Sequence, residues 1–227
     1  MLHTIQADFY QLVRSKGFWL TEGGLFLIAF ASSFGDANFF LSVSGQESDI
    51  HQSWTGFESL HQVSHEFLPF VMISLLILTT FLLGHDLTKK LYKNILACGV
   101  SRRKFYLYKI VELALLVFLQ LVIVFAITFV FSWTFHGLGI MPDNFVWIFS
   151  TYFFRSFLFL MTCISMTTCL LYLSHSAFLS YLVFSVLILG YSTLTVFFPQ
   201  LNSYFITLII LIGSIWIGYQ AFQHRDL

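Results

Sequence analysis

The stretch KKLYKNILACGVSRRKFYLYK, Lys89 to Lys109, gathers seven of the chain's eleven Lys and Arg residues. The sequence on either side is almost wholly apolar, Phe67 to Gly84 before it and Ile110 to Phe135 after it. A Lys or Arg carried to the centre of a bilayer costs about 2.5–3.5 kcal/mol on insertion scales. The cluster therefore stays on one side of a membrane while its flanking runs cross, and that asymmetry organises the rest of the chain.

Composition agrees. Over 227 residues, 58% are hydrophobic and only 10% are charged, with a mean hydropathy of +0.83. That is more apolar surface than a soluble fold of this length buries. A net charge of zero excludes a globally basic nucleic-acid binder, so no nucleic-acid partner is expected and the basic cluster needs a local explanation. Cys98, Cys163 and Cys169 read as free thiols. The opening residues lack the apolar core and cleavage site of a signal peptide, so the first run is expected to remain.

A membrane-spanning helix takes about 20 mostly apolar residues. Six runs qualify: approximately Phe18 to Phe34, Phe67 to Gly84, Ile110 to Phe135, Phe145 to Leu173, Ala177 to Phe198 and Tyr204 to Phe222. Their lengths suit helices and not strands, so the expected class is all-α, a polytopic membrane protein with six transmembrane helices. Pro69, Pro142 and Pro199 fall at or near the ends, where helices stop. Arg14 and Lys16 precede the first run, the cluster separates the second from the third, and Arg225 follows the sixth. The loops on the other side, 35–66 and 136–144, contain no Lys or Arg. The positive-inside rule then makes the protein a multi-pass cell-membrane protein with both termini cytoplasmic and 35–66 extracellular.

Residues 1–16 place Leu2, Ile5, Phe9, Leu12 and Val13 within one arc at 100° per residue, with Asp8, Gln11, Arg14 and Ser15 away from it. This is the pattern of an N-terminal amphipathic helix lying in the interface, against the simpler reading of a frayed terminus. Within 85–109, Leu87, Leu91, Ile95 and Cys98 form one helical stripe and Lys89, Lys90 and Lys93 share another face. Gly99 suits a helix stop and Ser101 an N-cap for a second helix beginning Arg102, Arg103, Lys104. Topology-setting charges beside anionic lipid explain the lysines and arginines. An apolar stripe and a defined break suggest in addition a surface that something in the cytosol binds.

The order LLGHDLTKKLYKNILACGVSRRKFYLYKIVELALL resembles the second intracellular region of the type-2 ABC export permeases: an acidic residue, a short helix, a small residue, Ser-Arg, a basic-aromatic stretch and a Lys opening the third span. Asp86, Gly99, Ser101, Arg102 and Lys109 stand at the matching places. FYQLVRSKGFW near the start and AFQHRDL at the end are similar to the family's basic interfacial helix and its terminal pattern. HDLTKK departs from the usual acidic, Gly-Thr opening by lacking the Gly. The resemblance implies a single permease domain over 1–227, with 85–109 as a cytoplasmic coupling segment. It implies that Asp86, Leu87, Lys90, Leu91, Lys93, Asn94, Ile95, Gly99, Ser101 and Arg102 contact a cytosolic ATPase. It implies a second permease chain, identical or homologous, and surrounding lipid. No G-x-x-x-x-G-K-[ST] occurs, so ATP and Mg would sit on the partner, with no cofactor in this chain and no catalysis of its own. Among the family's cargoes, small size and the lack of a large outer domain favour a hydrophobic or amphipathic antimicrobial peptide of bacteriocin or lantibiotic type, with drug or ion efflux next.

Arg155 lies ten residues into the fourth run, and an intramembrane charge is a functional candidate by default; pathway lining competes with snorkelling or structural pairing. Glu112 is a second pathway candidate, with a structural pair to Lys109 as the competing reading, and Glu22 is similar with Lys16. His61 and His65, with Glu58 one turn earlier, have metal-compatible spacing but only three ligands, so no metal is expected. Ser214 and Gly218, four apart, would let two helices approach closely. The rival classes are an intramembrane enzyme, which would need a facing catalytic pair that the runs lack, and a membrane sensor or anchor.

Overall fold

The computed structural model describes residues 2–34, 55–84, 100–141, 143–174, 176–197 and 204–223. All the regular elements among them are helical: α1 (Leu2–Arg14), α2 (Lys16–Phe34), α3 (Gly56–Gln62), α4 (Leu68–Thr79), α5 (Arg102–His136), α6 (Phe145–Ser174), α7 (Ala177–Phe197) and α8 (Tyr204–Gln223). Each of the six apolar runs is occupied by helix. Three, α5, α6 and α8, are long and apolar enough to cross a membrane; two shorter apolar stretches are Leu68–Leu83 and Phe178–Ile188.

The bundle is apolar outside as well as inside, and some of its polar side chains are buried. Leu20, Val111, Phe178, Phe205 and Trp216 face outward, whereas Thr79, Gln120, Thr128, Ser132 and Thr167 are buried. Such a surface is stable only in an apolar solvent. Buried hydroxyls find acceptors on their own helices: Thr79, Thr128, Thr162 and Thr167 donate to carbonyls four residues back at 2.7–2.8 Å. In hydrocarbon that local bond replaces water.

Ser15 makes the first corner. Its hydroxyl donates to Leu12 O at 2.7 Å and accepts from Phe18 N at 3.1 Å, closing α1 and capping α2 with one side chain. Ser101 caps α5 as its sequence suggests, accepting from Lys104 N at 3.4 Å. α5 therefore begins at Arg102, and the basic residues form the first turns of a 35-residue helix.

The second run departs from its expected bounds. Helix begins at Gly56 and continues through a π-helical turn, Val63–Phe67, into α4, and the last described residues of the run, Thr80–Gly84, form another. Pro69, read as a stop, sits at the start of α4 instead. Its ring crowds the carbonyl four residues back and supplies no N–H, and the wide turn absorbs both defects without ending the helix. α3 is held against the far end of α5, where Gly56 N and Phe57 N donate to the carbonyls of Gly137 and Leu138 at 3.0 and 3.3 Å. Gly139 is required there: its φ is +76°, and a Cβ would collide with the Thr55 side chain.

One apolar core joins Leu25 and Ala29 of α2, Val71, Leu75 and Leu78 of α4, Val117 and Leu121 of α5 and Leu160 of α6. α5 and α6 run antiparallel, pairing Phe118 with Phe153 and Phe125 with Phe149. A second, aromatic cluster of Phe105, Tyr106, Tyr172 and Phe222 binds the start of α5 to the ends of α6 and α8. α6 and α8 pack through small residues as the spacing of Ser214 and Gly218 anticipates. Ser165 Oγ and Ser214 Oγ are 2.7 Å apart, and Tyr106 Oη donates to Ile215 O at 2.8 Å. A Cβ on Gly218 would lie 2.7 Å from Tyr106 Oη and 3.4 Å from Cys169 Cα. Gly218→Leu should therefore destabilise the detergent-purified protein by about 1–3 kcal/mol, as overpacking does, whereas Ser214→Ala should cost less than about 1 kcal/mol, the scale of an interhelical hydrogen bond. Thermal unfolding in detergent separates the two, and equal losses would contradict the close approach.

Candidate functional site

Two polar constellations lie at opposite ends of the bundle. At the basic end, Lys109 Nζ sits 2.7 Å from Asp8 Oδ2 and 3.1 Å from Glu112 Oε2. The Lys109 and Glu112 side chains are only 5% and 2% exposed and Asp8 is 24% exposed, so the cluster is substantially removed from water. Buried charge persists only when compensated. Glu112 is supplied by the next turn of the same helix, and Asp8 crosses from α1, where Phe9 and Leu12 pack against the main core. Arg102, seven residues before Lys109, donates from Nη1 to Gln223 O at 2.5 Å and so fastens α5 to the end of α8.

A cavity of about 400 Å³ lies beside this cluster, lined by Asp8, Gln11, Leu12 and Ser15 on one side and Thr80, Phe81 and Leu82 on the other. Its second wall is the π turn Thr80–Gly84 of the α4 run. The Thr80 hydroxyl donates to Leu76 O at 2.8 Å and contacts Tyr181 Oη, and Tyr181 Oη donates to the same carbonyl at 3.1 Å. A carbonyl shared by two side chains leaves the helix's own register, which is where a wide turn forms. Asp86, Leu87, Lys90, Leu91, Lys93, Asn94, Ile95 and Gly99 lie outside the described residues. The chain on both sides of them is described: the π turn before and the capped start of α5 after.

At the other end, Arg155 is exposed on α6 and lines a cavity of about 180 Å³ with Ser64, Tyr152, Ser156, Tyr204 and Thr207. Glu58 accepts from Thr55 N and Thr55 Oγ1 at 3.1 and 2.9 Å, the reciprocal contact of a capping box. His61 meets Tyr152 edge-on at 4.8 Å between centroids. The side chain of His65 lies outside the described residues, and among those described no group of three or more His, Cys, Asp or Glu is placed to hold a metal. Glu112 is found in the pair with Lys109. Glu22, half-buried on α2, lies beside Gln120 of α5 and not beside Lys16. Asp8 and Gln120 were not singled out by the sequence; only their positions among apolar neighbours hinted at partners.

An all-helical bundle with an apolar exterior, buried hydroxyls and its cations gathered at the ends is an integral membrane protein. The chain belongs to the ABC-2 family transporter proteins, whose family model matches residues 4–192. That assigns it to the membrane component of a transporter, a non-catalytic part that in this family works with an ATP-binding partner. No curated protein matches it, and no solved structure does.

The Lys109 cluster generates a stability prediction. Lys109→Met removes the ammonium that Asp8 and the buried Glu112 share and should destabilise the protein by about 3–5 kcal/mol, the cost of breaking a buried pair. Adding Glu112→Leu to that variant should recover part of the loss. Thermal unfolding of the purified variants measures both, and independent, additive effects would mean that the two side chains do not act as a unit.

Proposed function

We propose that this chain is the permease subunit of an ATP-driven exporter that moves a hydrophobic or amphipathic cargo, with an antimicrobial peptide as the first candidate. In this reading six helices cross the membrane, both termini are cytoplasmic, α1 lies at the inner interface, and two permease chains, identical or homologous, share a pathway above two cytosolic ATPases. The coupling segment is 85–109, and Leu87 to Val100 within it is the handle. The observation that supports this best is the anchoring of α5 just beyond the handle: Lys109 joins α5 to α1 through Asp8, and Arg102 joins it to α8. A force applied at Leu87 to Val100 thus enters a helix already fastened to two others, and the bundle end moves as one piece.

ATP binding brings the two ATPases together. The permease converts that closure into opening on the far side by a rigid movement of packed helices between two arrangements. The contribution of this chain is mechanical: the apolar stripe Leu87, Leu91 and Ile95 seats in a groove of the ATPase, and Lys90 and Lys93 meet its acidic rim. The π turn Thr80–Gly84 lies directly before the coupling segment. Its hydrogen bonds are not those of a regular helix, so it is the place where the α4 run bends with least loss.

Replacing Leu91 and Ile95 together by Asp should abolish co-purification of the ATPase encoded with this permease and leave membrane insertion and thermal unfolding unchanged. Retained ATPase at wild-type stoichiometry would overturn the coupling role of Leu87 to Val100. Stimulation of ATP hydrolysis by candidate cargoes in the reconstituted complex identifies the substrate, with peptides expected to stimulate more than drugs or ions.

A further inference from the structure

The cavity around Arg155 does not end at its polar floor. Phe159 and Thr207 line it and also line a narrow apolar cleft of about 80 Å³ between α6, α7 and α8, bounded further on by Cys163, Met166, Ile188 and Ile210. On α6 the shared wall is a single helical stripe, Tyr152, Arg155 with Ser156, Phe159, Thr162 with Cys163, then Met166, at spacings of three and four. From the helix end towards the middle of the bundle the stripe passes from cationic and hydroxylated to mainly apolar, the Thr162 hydroxyl beyond Phe159 being turned onto Leu158 O.

Depth sharpens the chemistry. α6 has 30 residues, about 45 Å at ~1.5 Å per residue, against a hydrocarbon layer of ~30 Å. If the excess is shared between its ends, Arg155, ten residues after Phe145, lies about 8 Å inside the hydrocarbon boundary, close enough for a long side chain to reach headgroup level. No hydrogen bond or ion pair engages Arg155 among the described residues, in contrast to Lys109. A guanidinium at that depth calls for an anion, and the hydroxyls of Ser156 and Tyr204 around the same cavity supply further donors.

We propose that Arg155 and its surrounding hydroxyls bind the phosphate of an anionic phospholipid whose acyl chain lies in the α6–α7–α8 cleft. The cleft selects this occupant. Its lining is apolar and accepts the upper part of an acyl chain, and its position beneath a headgroup-level cation matches the order of a lipid, head outward and chain inward. The site rests on the membrane location of the chain and not on the cargo or the ATPase, and so it is tested without either.

The purified permease alone, in nanodiscs of phosphatidylcholine doped with phosphatidylglycerol, is examined by native mass spectrometry of the lipids it retains. Wild type should retain phosphatidylglycerol over phosphatidylcholine, whose phosphate is neutralised by its own choline, by about tenfold, roughly the 1.4 kcal/mol of one charge-assisted contact. Arg155→Gln should reduce the preference to that of bulk lipid, and Arg155→Lys should retain part of it. Ile188→Trp, which fills the cleft and leaves the cation in place, should weaken retention as well. Equal retention by wild type and Arg155→Gln would overturn the site. Unchanged retention by Ile188→Trp, with displacement by millimolar inorganic phosphate, would overturn the lipid assignment and show a site for a free anion. Loss of ATPase coupling in the Asp variants of Leu91 and Ile95 has no bearing on this result, so either reading can fail alone.

Discussion

An ammonium group at the end of a membrane helix has either water or counter-charge, and Lys109 has counter-charge. Glu112 is one turn further along the same helix and would be present in any arrangement of the bundle. Asp8 is not: it arrives on α1, and its 2.7 Å contact sets where α1 lies relative to α5. With α1 placed, Ser15 fixes the departure of α2, and α2 in turn packs Leu25 and Ala29 against α4 and α5. A single ion pair thus orders the N-terminal third of the molecule, because in a low-dielectric setting the alternatives to satisfying it are expensive.

The other half of the bundle is assembled by close approach. Gly218 removes a side chain so that α8 can meet α6 at Cys169, Ser165 and Ser214 exchange a hydrogen bond in the gap, and Tyr106 reaches across from α5 to Ile215 O. Apolar burial drives little here, since lipid tails are as apolar as the residues they replace. Contact geometry and a few hydroxyls decide instead. The two halves meet on α5 and α6, so a displacement of α5 at its basic end is carried into both kinds of packing.

Much of this was legible because the signals were local. The apolar runs marked the helices, Ser101 its cap, and Ser214 with Gly218 the tight interface; each depends only on neighbours within a few turns. The misreadings share a cause. Asp8 was placed on the polar face of an interfacial helix, since nothing within α1 says that Lys109, 101 residues away, will take it. Pro69 was read as an ending because in an isolated helix it would be one, whereas the π turn before it lets the helix continue to Gly56. Glu58 was grouped with His61 and His65, although Thr55-x-x-Glu58 is itself a capping-box pattern and the carboxylate is used there. For Arg155 the depth was legible but the surroundings were not, because the hydroxyls that share its cavity come from three separate helical segments.

Lys109 and Arg155 show how position decides what a membrane cation does. Lys109 stands at the end of the bundle where the chain itself delivers carboxylates, and a charge neutralised from within becomes structure: it holds α1 to α5. Arg155 stands at the end where α3 lies, and the described carboxylate of α3, Glu58, is committed to Thr55. Among the described residues none takes up the donors of the Arg155 guanidinium. A fold that needed only a structural charge at that depth would be more stable with a packed apolar residue, since an uncompensated cation beneath the headgroups contributes nothing to packing. On the proposals made above, the basic end carries force and the Arg155 end carries recognition.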